Sequence, residues 1–276
     1  MKNRILRLLY LLAATGSALL MMGGAGQTGS AQMTSSQTAS GATGTVRSHA
    51  TGTLSSSMTH TVKSVATATG KNGMTGIEKS KHVTLSPYAE EVARIINFDR
   101  QVLVMVKEAT QEHIHRLIGY DENGYQIIAH GIAVPVPEDK AEDIMASLRR
   151  KLLPLRYMVF IVEMNAGLKT DTIGILKGTD QYEILRVMQT NGDDYDISNQ
   201  DIIDRLKEWE KCCAFDIIGA ENDWVELEFK TLPKDLDAFA EEVYEFSPDA
   251  VDQGWGSVDG LIKEIKKTNR LFLWWD

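Results

Sequence analysis

Four side chains near the C-terminal end could do chemistry together: Asp249, Asp252, Gln253 and Asp276. Carboxylates that converge can hold a hard cation or share a proton for general acid–base work. Asp249, Asp252 and Asp276 form the candidate catalytic set, and a hydrolase or metal-assisted reaction is the chemistry they would support. A simpler role competes with it: Asp249 and Asp252 could cap backbone amides around Pro248 while Gly254 and Gly256 set a turn. Three of the five tryptophans, Trp255, Trp274 and Trp275, fall in the last 22 residues. With Gln253 and Tyr195 they form the candidate binding set. Successive strand residues face opposite sides, so one of Trp274 and Trp275 is expected in the core and the other against a groove or partner.

Two further constellations could bind metal. His115 and His130 flank the Asn123-Gly124 turn. If Leu117 faces His130 and His115 faces Ile132, the two imidazoles lie diagonally on one face, a geometry open to zinc if a carboxylate joins them. Half-exposed sheet histidines give the same pattern without a metal. The run Asn191-Gly192-Asp193-Asp194-Tyr195-Asp196 is rich in oxygen donors but lacks the EF-hand order, and an acidic lead into a helix N-terminus accounts for it. No nucleophile elbow, metalloprotease helix, P-loop or dinucleotide glycine run is present, and no cofactor is expected. Cys212 and Cys213 are adjacent and cannot join distant segments; a buried thiol between a helix and a strand is the expectation.

The elements that position these residues begin after residue 80. Lys2, Arg4 and Arg7 precede an apolar run from Leu8 to Met22 and the small residues Gly23-Gly24-Ala25, the order of a signal peptide over residues 1–25. The run is shorter than the roughly 20 residues of a membrane span, so no membrane insertion is expected after cleavage. Residues 26–80 are rich in Ser, Thr, Gly and Ala with few large apolar side chains, the composition of a disordered linker with a reach of roughly 40 Å. This predicts a periplasmic or secreted protein whose single domain spans 81–276, with an N-terminal lobe at about 81–170 and a second part at about 171–276. Residues 1–80 hold seven Lys/Arg and one acid; the rest holds 22 basic and 37 acidic residues, a net charge of −15. Such a domain is a poor ligand for nucleic acid and favours a basic protein partner.

Within the domain, Ser86-Pro87 predicts a helix start, Gln101–Ala109 a strand, and His113–Tyr120 with Tyr125–Val134 a hairpin. Pro137 opens a helix that Pro154 ends. Strands follow at Tyr157–Met164 and Thr172–Leu176, and a capping box is expected at Asp180/Glu183. Ser198/Asp201, Pro233 and Ser257 start three more helices around strands at Phe215–Gly219 and Trp224–Phe229, and Arg270–Trp275 closes the chain. Hairpins mixed with helices predict an α+β fold: a mostly antiparallel, mixed sheet with helices packed mainly on one face.

The strings Asp193-Asp194-Tyr195-Asp196-Ile197, Asp223-Trp224-Val225-Glu226, Phe246-Ser247-Pro248-Asp249, Asp252-Gln253-Gly254-x-Gly256 and Trp274-Trp275-Asp276 resemble the bacterial domain-of-unknown-function family 4253 over roughly residues 171–276. The resemblance implies an α/β-type bacterial domain and carries over no catalytic residue. The export signal, the negative charge and the lack of catalytic motifs point to an exported acidic protein-binding domain, such as an immunity-type neutraliser of a toxin. A carboxylate enzyme and a structural module without ligand are the alternatives.

Overall fold

The computed structural model describes residues 83–165 and 170–275. The signal-peptide and linker expectations for 1–80, and Asp276, lie outside the described residues.

Ser86 caps the first helix by accepting from the Ala89 amide at 3.1 Å. Helices α1 (Pro87–Ile95) and α2 (Arg100–Thr110) lead into strands β1 (His115–Tyr120) and β2 (Gln126–Val136). Helix α3 (Glu138–Leu152) and a 3-10 turn at Leu153–Leu155 precede β3 (Tyr157–Glu163) and β4 (Asp171–Lys177). The chain continues through α4 (Tyr182–Met188), a 3-10 turn at Asp193–Tyr195, α5 (Asn199–Trp209), β5 (Ala214–Ala220) and β6 (Trp224–Thr231). It ends with α6 (Leu236–Phe246), a π-helical turn at Ala250–Trp255, α7 (Val258–Thr268) and β7 (Arg270–Trp274). No helix among the described residues is long and apolar enough to cross a membrane.

The seven strands form one mixed sheet in the order β1-β2-β4-β3-β5-β6-β7. Every neighbouring pair is antiparallel except β3 and β5, which run parallel and meet at the single register pair Ile161–Gly219. The α+β class with a mostly antiparallel, mixed sheet is therefore as the sequence suggested. The helices differ from expectation: they cover both faces. Helices α1, α2 and α3 pack on one core with Val159, Ile161, Ile173 and Trp274, and α4 to α7 pack on the other with Phe160, Ile217, Leu227 and Trp275. The reason is visible in β3, where five successive residues from Tyr157 to Ile161 are buried. A strand apolar on both faces needs cover on both.

Local differences have local causes. Residues 101–109 are helical, not extended: Val102, Leu103, Val106 and Thr110 are its buried residues, a helical spacing that the β-branched content of the run obscured. Asp180 forms no capping box with Glu183; its carboxylate accepts from the Tyr182 amide at 3.1 Å and pairs with Arg186 at 2.9 Å. Pro233 stands three residues before its helix, which Asp235 caps by accepting from the Ala238 amide. By contrast the Ser198/Asp201 capping box and the Ser257 cap form as expected.

Candidate functional site

The residues grouped from the C-terminal sequence do come together. Tyr195 ends the 3-10 turn and donates its hydroxyl to Asp249 Oδ2 at 2.8 Å, while Gln253 Nε2 donates to Asp249 Oδ1 at 2.9 Å. Asp249 is buried. Burial first, then the Asp249 carboxylate, pushes the Tyr195 phenol up to about 12, so at neutral pH it is a protonated donor. Asp252 is exposed and takes a separate partner, the Tyr244 hydroxyl at 3.4 Å. That hydrogen bond is the main cause raising the Tyr244 phenol.

Trp274 and Trp275 are both buried, so neither lines a groove. Because both faces of β7 are covered, the alternation that separates the two indoles delivers one to each core. Trp275 Nε1 donates to the Phe246 carbonyl at 2.9 Å, and the Ser247 hydroxyl donates to the Trp274 carbonyl at 2.8 Å. A Cβ on Gly192 would meet Trp275 Cγ at 2.7 Å, and one on Gly254 would meet Trp274 Cη2 at 2.4 Å. Gly256 takes φ +71° where the π-helical turn ends, a left-handed conformation that favours glycine. Trp255 is half-buried, and its indole N–H is buried with no acceptor. The strings that carry the family resemblance thus build a clasp that seats the last strand; Asp276 lies beyond the described residues.

The histidine geometry is not the expected one. Strand β2 carries a bulge opposite β1: Ile118 pairs with Ile128, but Arg116 pairs with Ile132 and His115 with Ala133. His130 then shares a face with Ile132, and His115 lies on the other. Among the described residues no group of three or more His, Cys, Asp or Glu could hold a metal ion. Cys212 is exposed and Cys213 buried. Both thiols donate to the Trp209 carbonyl at 3.2 Å, and burial pushes Cys213 up to about 12, which makes it a poor nucleophile.

A different surface was not foreseen. The β1–β2 hairpin reaches past the body of the sheet as an arm, with residues 122–128 exposed. Asp121 shapes its turn by accepting from the Asn123 and Tyr125 amides at 2.9 and 3.0 Å. The arm shows Ile118, Tyr125, Ile127 and Ile128 to solvent, Tyr125 at 71% and Ile128 at 63%. Ile118 and Ile128 are cross-strand partners, and Ile127, next in sequence, points to the opposite face. The signal was present in the unbroken pair Ile127-Ile128, which does not alternate with polar residues as a one-sided hairpin does. Beside the turn lies an acidic cleft of about 580 Å³, lined in part by Asp121, Glu122, Asp193 and Asp196.

Two other features come from residues far apart in sequence. The Glu221 carboxylate, after β5, stands 3.4 Å from the Tyr120 hydroxyl and 3.3 Å from Trp224 Nε1. Burial, then the charges of Asp223 and Glu163 against the pull of those hydrogen bonds, raises it to about 7. A second cleft, of about 620 Å³, opens between β3 and β5 and is lined from α3, β3, α4, β5 and β6.

Fold and clasp together define an α+β domain whose C-terminal part locks its own closing strand. Residues 172–276 match the model of a domain-of-unknown-function family, DUF4253. No curated protein and no solved structure matches the chain.

Proposed function

We propose that the protein is an exported, acidic binding domain that captures a basic, amphipathic protein partner, in the manner of an immunity-type neutraliser in the bacterial envelope. One observation carries this reading: the hairpin arm exposes large apolar side chains on both faces directly beside an acidic cleft. Contiguous exposed apolar surface marks interaction sites, and carboxylates at its rim select cationic partners and speed encounter. Export rests on the basic and apolar N-terminal segments. An enzyme using Asp249 and Asp252 is disfavoured, since Tyr195 and Gln253 hold one carboxylate and Tyr244 meets the other.

The test is affinity capture from an envelope extract with the full chain and with an Ile128→Asp variant. The expected result is a stoichiometric, salt-sensitive partner that the parent retains and Ile128→Asp loses. Absence of such a partner, or equal capture by both proteins, refutes the reading.

A further inference from the structure

The turn between α5 and β5 holds both cysteines of the chain and contributes nothing to the arm or its acidic cleft. Glu210, Lys211 and Cys212 are exposed there, Cys213 is buried, and Ala214 is exposed again. The Cys212 and Cys213 amides both donate to the Trp209 carbonyl at 3.0 Å. Both thiols reach the same oxygen at 3.2 Å. One carbonyl thus gathers two neighbouring side chains, and their sulfurs stand 3.8 Å apart.

Three kinds of bridge could join such sulfurs, and the geometry separates them. A direct disulfide usually links Cα atoms roughly 4.4–6.8 Å apart, whereas a trans peptide fixes neighbouring Cα atoms at about 3.8 Å. Closing it here would strain the peptide between the two residues. A structural metal ion needs ligands beyond two thiolates, and among the described residues no third His, Cys, Asp or Glu completes a set. What fits is a central atom that wants two sulfurs and brings its own remaining substituent. Two bonds of about 2.3 Å, the length of a metal–thiolate bond, span about 3.8 Å at the tetrahedral angle. That is the separation found, and a pyramidal arsenic centre spans slightly less.

We propose that Cys212 and Cys213 form a chelating site for trivalent arsenicals of the type R–As=O. Two S–As bonds form and the As=O bond breaks. The oxygen leaves as water with the two thiol protons, and no group is oxidised or reduced. Because both protons leave in this condensation, the buried Cys213 thiol serves without first becoming a thiolate. Exposed Cys212 makes the first bond; the second is then intramolecular, at the high effective concentration that linkage confers. Neither this site nor the partner-binding reading depends on the other.

The experiment adds phenylarsine oxide to the folded full chain, kept reduced with a phosphine. It follows intact mass, amide NMR shifts and subsequent alkylation of the thiols by iodoacetamide in urea. One phenylarsenic per chain is expected, with both thiols protected and shifts centred on residues 209–214. Ethanedithiol should release it, and mercaptoethanol at the same concentration should not. Cys212→Ser changes an exposed side chain and keeps the fold; it and Cys213→Ala should each weaken binding at least about a hundredfold. No adduct, an adduct that leaves one thiol open to alkylation, release by the monothiol, or parental affinity in Cys212→Ser overturns the proposal.

Discussion

Gly192 lies flat against the Trp275 indole, so close that a side chain at 192 would collide with the ring at 2.7 Å. Gly254 stands in the same relation to Trp274, at 2.4 Å. The two tryptophans enter opposite cores, and each is covered by backbone from one of the glycine-bearing strings. Gly192→Ala and Gly254→Ala should each therefore destabilise the domain by about 1–3 kcal/mol through overpacking. Urea unfolding should show lower midpoints at an unchanged slope.

Tyr195 and Asp249 are joined across 54 residues by a 2.8 Å hydrogen bond to a buried carboxylate. Tyr195→Phe and Asp249→Asn should be non-additive, with a coupling of about 1–2 kcal/mol in a double-mutant cycle. If the two losses simply add, the clasp does not depend on this bond.

Glu221 gives the domain a pH dependence of definite sign. Its carboxyl ionises near its ordinary 4.5 in the unfolded chain and at about 7 in the folded one. Between those values the folded state binds the extra proton, so the stability it contributes is complete below about 4.5, declines as pH rises to 7 and is absent above. Glu221→Gln should flatten that decline and exceed the parent in stability at pH 8 by roughly 1–3 kcal/mol. Chemical unfolding at pH 5 and pH 8 reads both effects.

Arg270 joins three acids, Glu142, Glu226 and Glu228, at 3.2, 3.4 and 3.5 Å, and Glu226 is buried. Removing the guanidinium takes its ion pair from a buried carboxylate. Arg270→Met should cost about 3–5 kcal/mol, and adding Glu226→Gln should recover part of it. A thermal midpoint lowered equally in the single and double variants would contradict this account.

Much of this was legible where the physics is local. Ser86, Ser198 with Asp201, and Ser257 announce their helices because a capping hydroxyl must sit within three residues of the amide it serves. The grouping of Tyr195, Asp249, Gln253 and the paired tryptophans was also visible, although its role was not: nothing in a sequence says that Tyr195 reaches Asp249 before a substrate could. Residues 101–109 were misread because Val102, Val104 and Val106 imitate a strand, while burial of Val102, Leu103 and Val106 is settled only by α3 and the sheet above them. The histidine register failed on the bulge in β2 between Ile128 and Ile132, for which Gly131, an isolated glycine inside a strand, was the one signal. The cleft was out of reach altogether, since Arg149, Gln181, Tyr182 and Lys230 come from separate segments that only the sheet brings together.

The single parallel rung at Ile161–Gly219 makes the sheet two ladders laid side by side: β1-β2-β4-β3 on one bank, β5-β6-β7 on the other. Within each bank, breaking one backbone bond leaves neighbours that hold the strands; across the seam the hydrogen bonds come mainly from the Arg149 and Gln181 side chains, and the two cores supply the rest of the contact. In hydrogen-exchange terms the banks should keep separate clocks, with amides near the seam released by sub-global openings long before those of β4 or β6. The matched family region begins inside β4 and so draws strands from both banks. The segment that sequence comparison recognises should thus differ from the segments that open and close as units.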